Sequence, residues 1–142
     1  MASGMDSTTA KAVLSATVGK ASLTAFGGIT GKVKLMSTAA SETADGTQIS
    51  GGSYPAGGIS TGTSTTVWGT ASYASGVASI TNSGSAITQT NMPATLVTSA
   101  SLWDTAGTPV RWWWGDLTNN ITTNSGDTLT FATSSITMQF NV

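Results

Sequence analysis

The sequence predicts an all-β protein: an antiparallel β-sandwich, jelly-roll or immunoglobulin-like, of about seven or eight strands with a short N-terminal helix or arm. From Lys32 onward, short apolar runs recur at roughly the 8 to 12 residue spacing of all-β sandwiches. Clusters of Gly, Asn, Asp and Ser separate these runs and supply turn residues. The last run is the clearest, because Ile136, Met138 and Phe140 alternate with polar residues, so one face of that strand packs on a core.

Seven segments carry the strand pattern, in which β-branched or aromatic residues are bounded by turn residues. These segments are 32–36, 64–70, 76–81, 95–103, 110–114, 127–132 and 136–142. The stretch 51–66 is so rich in Gly, Ser and Thr that we expect a long loop there.

The segment from Ser7 to Val18 is the helical candidate. Asp6 or Ser7 can cap it, and Gly19 can end it. Its apolar positions at helical spacing include Val13 and Leu14. Two alternatives stay open, a loose N-terminal arm or an arm that docks on a neighbouring subunit. We therefore expect an N-terminal arm with a short helix over residues 1–31 and a β-sandwich domain over 32–142.

The composition excludes several classes of function. Only 8% of the residues are charged and the net charge is −1, which gives no basic surface for nucleic acid. Cysteine and histidine are both absent, so thiolate metal sites and histidine-based catalysis are excluded. With five Trp and 39% hydrophobic residues, the chain has enough apolar surface to fold.

The chain shows no sign of a membrane segment or a leader. No apolar run approaches the roughly 18 residues of a membrane span, and residues 1–6 lack a basic and apolar signal sequence. We expect synthesis in the cytoplasm of a host cell and no membrane partner. Low net charge favours association, so we expect the protein to be held in an assembly.

The acidic residues lie mainly in predicted turns or caps, where Asp side chains usually bond the turn backbone. A glycosidase pair needs two carboxylates about 5 to 10 Å apart, and calcium needs several oxygen ligands at alternating positions. No such pattern appears, so we predict no enzyme activity, no metal and no cofactor. The acidic residues are Asp6, Glu42, Asp45, Asp104, Asp116 and Asp127.

The run from Arg111 to Trp114 is the most unusual local feature. In a strand its rings must point alternately, so Trp113 lies opposite Trp112 and Trp114. Three interpretations stay open: core packing with the second side covered by the helix or a loop, a subunit interface, or an exposed Trp that stacks on carbohydrate. The interface candidates are Trp112, Trp113, Trp114, Arg111, Trp68, Tyr54, Val13 and Leu14.

Seven short motifs, made of turn residues and parts of strands, follow one another along the chain. They are 34–36 (KLM), 44–47 (ADGT), 49–54 (ISGGSY), 87–94 (ITQTNMPA), 102–104 (LWD), 114–117 (WGDL) and 126–129 (GDTL). This ordered set resembles small phage proteins labelled tail fibre, minor tail or minor capsid proteins, and the resemblance covers roughly residues 32–142. The chain departs from the pattern at Gln48, where Glu is usual, and at Pro55.

The resemblance implies a β-sandwich component of a bacteriophage virion. Small size and the absence of a long fibre repeat favour a capsid decoration or cement protein on the head surface. Its partners would be the major capsid protein or other virion subunits, with a homotrimer as the expected oligomer. A minor tail or tail-fibre protein that binds host-surface glycan is the alternative. A polysaccharide hydrolase module is a third reading, for which we expect no cleavage.

Overall fold

The computed structural model describes residues 3–17, 31–62, 67–105 and 107–141. These residues form one helix and eleven strands, and every strand pairing is antiparallel. The elements are β1 Ser3–Met5, α1 Ser7–Thr17, β2 Gly31–Thr38, β3 Thr47–Gln48, β4 Ile59–Gly62, β5 Ser72–Ala74, β6 Val77–Thr81, β7 Ile87–Gln89, β8 Thr95–Trp103, β9 Arg111–Thr123, β10 Leu129–Phe131 and β11 Thr137–Asn141.

The strands form three antiparallel sheets. The largest has the order β1-β9-β8-β2-β3, and β4 also pairs with β2. A second sheet has the order β11-β6-β5, and a third consists of β10 and β7. This mostly β, sandwich-like architecture confirms the predicted fold class.

The core lies against one face of the largest sheet. Val33 and Leu35 alternate along β2 and are buried there. Their partners on β8 are Leu102 and Ala100, which pack partly buried against the same cluster. We call this the core face. The buried residues of this hydrophobic core are Val33, Leu35, Ile49, Tyr54, Ile59, Ile87, Met92, Val97, Leu129 and Phe131.

The opposite face of the largest sheet also buries side chains near β9. Ser99, Ser101 and Trp103 alternate along β8, and all three are buried. Ser101 pairs with Trp114 on one side and with Lys34 on the other. The sheet is therefore covered on both faces here, which a simple alternation of apolar and polar residues does not reveal.

The N-terminal segment is attached to the largest sheet as an extra edge strand. β1 pairs with β9, with Met5 opposite Trp113. α1 follows at once, and its first hydrogen bond runs from the Ala10 amide to the Asp6 carbonyl, which places Asp6 at the N-cap. The predicted helix is confirmed within one residue of its range, and Val18 lies outside the described residues. The domain boundary at 31 stays a prediction.

Six of the seven segments predicted as strands contain a strand in the structure. One of the six, β9, is much longer than predicted. β9 runs to Thr123, whereas the sequence predicted an end at Trp114. Asn119 and Asn120 suggest a turn locally, but the nine-residue strand β8 offers a partner along this stretch and the two strands pair over their length. Pairing between long strands overrides the local preference of the two asparagines.

The predicted strand at 64–70 is wrong in its described part. Residues 67–70 form a turn and irregular backbone, held to β6 by the bond from the Gly69 amide to the Thr81 carbonyl; residues 63–66 lie outside the described residues. The expected loop at 51–66 is interrupted by β4. The strands that the sequence did not predict, β1, β3, β4, β5 and β7, have at most four residues each, too few for a recognisable pattern.

Several predicted turns have the backbone conformation that their residues favour. Gly46, Gly52 and Gly126 have positive φ, a region that glycine enters without strain. A Cβ at Gly46 would collide with the Thr38 carbonyl, and one at Gly52 with the Asn91 carbonyl. These two turns therefore require glycine for space as well as for conformation.

Tyr54 joins a loop to the core through its hydroxyl. The residue is buried, and its hydroxyl accepts a hydrogen bond of 2.8 Å from the Leu35 amide in the middle of β2. Burial raises the pKa of Tyr54, and hydrogen bonds from Leu35 and Gln48 oppose this only in part. The protonated phenol is thus the form that the fold accommodates.

Replacing Tyr54 by Phe should change how stability depends on pH. The folded protein keeps the Tyr54 proton at a pH where the unfolded chain has lost it, so stability from this group is complete below about pH 10 and is lost as the pH rises above that value. We expect the free energy of unfolding in urea to fall more steeply between neutral and alkaline pH in the wild type than in Tyr54→Phe. Equal slopes would contradict this account.

The same substitution should also lower stability at neutral pH. It leaves the buried Leu35 amide without its acceptor, which costs about 1–3 kcal/mol. Tyr73→Phe is the matched control, because Tyr73 is 67% exposed; we expect a change of less than about 0.5 kcal/mol there.

Candidate functional site

The tryptophan triplet lies on β9 with its rings on opposite faces, as the strand geometry requires. Trp113 pairs with Leu102 and therefore belongs to the core face, where it is half-buried. Trp114 pairs with Ser101 on the opposite face and is buried. Trp112 is also buried. The register shifts by one residue between Leu102 and Trp103, so a bulge accommodates Trp112.

The Trp112 indole is held by a carboxylate at the β8–β9 turn. Its Nε1 donates to Asp104 Oδ2 at 3.0 Å, and the Val110 amide donates to Asp104 Oδ1 at 2.9 Å. The Asp104 amide in turn donates to the Val110 carbonyl. Asp104 is therefore a structural residue that closes the turn and fixes one tryptophan.

Arg111 is the centre of the most highly connected polar cluster among the described residues. The residue is only 3% exposed, and its Nη2 forms an ion pair of 2.7 Å with Asp6 Oδ2. Nη1 lies 3.4 Å from Asp45 Oδ1, which is largely exposed. The guanidinium also donates to three carbonyls of one loop, those of Ser41, Ala44 and Glu42.

The backbone around Arg111 reinforces this link to the N-terminal segment. The Thr9 hydroxyl donates to the Arg111 carbonyl at 3.0 Å, and the Asp6 amide donates to the Trp112 carbonyl at 3.1 Å. One buried cation thus joins three parts of the chain: the start of α1, the loop 41–45 and β9. We call these contacts the Arg111 cluster.

A second aromatic contact lies beside this cluster on the same sheet. The Lys34 ammonium sits 3.8 Å from the centre of the Trp103 ring, and Trp103 Nε1 donates to Ser101 Oγ at 2.8 Å. Desolvation lowers the pKa of Lys34, while the charge of Asp45 opposes the shift. The pair is a cation–π contact, which favours the charged lysine.

The remaining interface candidates fall in different places. Tyr54 lies in the core, and Trp68 is half-buried with its Nε1 3.4 Å from Thr61 Oγ1. On α1, Val13 is half-buried and Leu14 is 67% exposed. Arg111, Trp112 and Tyr54 make hydrogen bonds within the chain. These contacts do not test an interface, so the interface role of the eight residues stays a prediction.

The structure brings three of the candidates together at one cavity. Trp68, Trp113 and Trp114 all line a space of about 360 Å³ between the largest sheet and β11. Sequence reasoning could not place Trp68 beside the other two, because it is far from them in the chain and only the docking of β11 closes the space.

Sequence reasoning also missed the partner of Arg111. Asp6 precedes it by 105 positions, and a buried arginine needs a carboxylate, but six acidic residues compete for that role. The predicted turn role of Asp is confirmed at two positions. Asp104 bonds its own turn as described, and Asp127 Oδ2 accepts from the Asn124 amide at 2.7 Å.

Among the described residues, no three acidic side chains gather as a metal site would require. No helix in this part of the chain is both long and apolar enough to cross a bilayer. A second space, of about 380 Å³, lies beside the Arg111 cluster and is lined by residues that include Asp6, Glu42, Asp45 and Trp103.

Comparison with known proteins identifies the family. The sequence model of the family described as "Podophage GP4 fiber I protein gp80" matches residues 4–139. The chain belongs to this family. The match extends from β1 into β11 and so includes both the Arg111 cluster and the cavity. No curated protein matches the chain.

Membership of the gp80 fibre family confirms the resemblance to small phage virion proteins. The protein is a structural component of a bacteriophage virion, and its family is described as a fibre protein.

The two ion pairs of Arg111 predict different losses of stability when Asp6 or Asp45 is replaced. Asp6→Asn should lower the free energy of unfolding by about 3 kcal/mol, because it removes the buried carboxylate that pairs with the guanidinium and leaves only the exposed Asp45 as counter-charge. Asp45→Asn is the matched control, since its side chain is 62% exposed; we expect a loss below about 1 kcal/mol.

Limited proteolysis reports on the same substitution locally. Lys11 lies exposed on α1, so trypsin should cleave after it faster in Asp6→Asn than in the wild type or in Asp45→Asn. Equal stability and equal cleavage for the two variants would contradict the structural role of the ion pair.

Proposed function

We propose that this protein is a subunit of a phage tail fibre that acts through contacts with neighbouring virion subunits and catalyses no reaction. The family match over residues 4–139 carries the proposal, because it extends across nearly the whole chain and the family is described as a fibre protein.

The geometry supports a contact role over a chemical one. Asp6 and Asp104 are buried in structural contacts, and Asp127 bonds its own turn. A fibre subunit needs rigidity and complementary surface, and an interface of roughly 1,600 Å² is enough for a specific contact. The chain has few charged residues and is rich in Ser and Thr, and the exposed large apolar side chains of its described part are Leu14, Tyr73 and Leu96.

The proposed partners are other copies of the chain and other virion subunits. A homotrimer remains the oligomer that we propose, and repeated weak contacts in such an assembly add up by avidity. β1 and α1 are held on β9 of the same chain, and Leu14 on α1 is 67% exposed, so α1 offers an apolar side chain for such a contact.

The capsid decoration role, preferred on size alone, is the second candidate. The described residues form strands of at most 13 residues and one helix of 11 residues, with none of the elongated repeats of long fibres, and this also suits a subunit on a capsid lattice. The description of the family favours the fibre role.

Labelling of intact virions separates the two roles. Antibody to the purified protein, detected with gold particles in the electron microscope, should mark the tail appendages and leave the head shell bare. Antibody to the major capsid protein is the control for access to the head. Label confined to the head shell, or recovery of the protein with tail-less heads, would overturn the fibre proposal in favour of the decoration role.

A further inference from the structure

The exposed face of α1 starts at a hollow in the protein surface. Ser7, the first residue of the helix, lines this hollow, which has a volume of about 380 Å³. Residues four and seven positions further along a helix return to the same face, so Lys11 and Leu14 follow Ser7 there. Both are exposed, Leu14 by 67%. Thr9 lies on the opposite face, where it is buried and bonds the Arg111 carbonyl.

The hollow carries an excess of negative charge. Its lining includes the carboxylates of Asp6, Glu42 and Asp45, against the single guanidinium of Arg111. Arg111 forms ion pairs with Asp6 and Asp45. Glu42 is exposed and takes part in no ion pair with another described residue. We call this space, with its lining, the acidic hollow.

The helix face carries the opposite charge and an apolar group. Lys11 likewise forms no ion pair within the described part of the chain, and Leu14 is among the large apolar side chains that this part exposes. The lining of the acidic hollow also has an apolar part, in which Pro109 is exposed and Val110 is half-buried. The helix face and the hollow therefore match each other in charge and in apolar surface.

The matching groups of one chain do not meet each other. A helix rises about 1.5 Å per residue, which places Leu14 roughly 10 Å along the axis from Ser7 at the hollow. Lys11 and Leu14 are accordingly absent from the described lining of the acidic hollow. A second copy of the chain brings the same helix face to the hollow without this restriction. Contacts of this head-to-tail kind between identical chains can close into a ring.

We infer that α1 of one copy docks in the acidic hollow of the next copy. Lys11 then meets the carboxylates of Glu42 and Asp45 in the neighbouring copy, and Leu14 packs on its Pro109 and Val110. The choice of a second copy as the occupant rests on the proposed function, in which copies of the chain assemble. With only 8% of the residues charged, this pairing of charges also determines which surfaces come together.

Sedimentation equilibrium of the complete 142-residue protein tests the contact over a series of concentrations. We expect reversible association, with a mass three times that of the 14.2 kDa chain for the proposed homotrimer. Lys11→Glu and Glu42→Lys each bring like charges together, so each should raise the dissociation constant at least about tenfold. The double variant exchanges the two charges and should restore the wild-type constant to within about threefold.

Leu14→Ser tests the apolar part of the contact. It removes a leucine that docking would bury, so the dissociation constant should rise about tenfold. Leu96→Ser is the matched control, because Leu96 is 44% exposed on β8 and lies outside the described lining of the acidic hollow; the constant should stay within about twofold. Near-ultraviolet circular dichroism confirms that each variant is folded. Equal constants for the two serine variants would contradict docking through Leu14.

Three further results would overturn the inference: a protein that is monomeric at every concentration, an assembly that neither Lys11→Glu nor Glu42→Lys weakens, or a double variant that associates no better than the single ones. Gold label on the tail together with any of these would leave the fibre function standing. Label on the head together with restored association in the double variant would end the fibre role and leave the contact standing. A dimer with the predicted responses to charge would correct the homotrimer and support the contact.

Discussion

The buried ion pair between Arg111 and Asp6 is the constraint on which the arrangement of this molecule depends. A guanidinium that is 3% exposed is costly unless charge and hydrogen bonds compensate it. Here the compensation comes from the N-terminal segment and from three carbonyls of the loop 41–45. If the N-terminal segment or the loop left β9, the Arg111 charge would be exposed to solvent or would lose its partners. In a chain with so few charged residues, one cation thereby sets the position of two segments.

The long β8–β9 pair follows from the same region and carries the aromatic residues. Because Trp113 faces the core and Trp114 faces away, the sheet must be covered on both sides at this point. A bulge next to Trp103 gives Trp112 its place above Asp104. The cover over the core face is incomplete, and the cavity beside Trp113 is the result. The two layers of the fold thus leave a space beside Trp113 that their own side chains do not fill.

Much of the fold could be predicted because it depends on local patterns. Alternation in β2, β8 and β11 and glycine at turns such as Gly46 and Gly52 gave the antiparallel β class, and alternation also gave the opposed rings of Trp113 and Trp114. What could not be predicted depends on contacts between distant residues. The pairing of β1 with β9, the choice of Asp6 for Arg111 and the gap between Trp68 and Trp113 all arise only when the sheets assemble. The short strands, such as β3 with two residues, are defined by their partners and have no pattern of their own.

A double-mutant cycle between Asp6 and Arg111 tests the central claim most directly. Urea unfolding of the wild type, Asp6→Asn, Arg111→Met and the double variant gives the coupling free energy between the two side chains. The account predicts a coupling of more than about 1 kcal/mol, with the double variant destabilised less than the sum of the single ones. Losses that add to within about 0.5 kcal/mol would show that the two residues act independently. That result would contradict the role of this ion pair in fixing the N-terminal segment on the sheet.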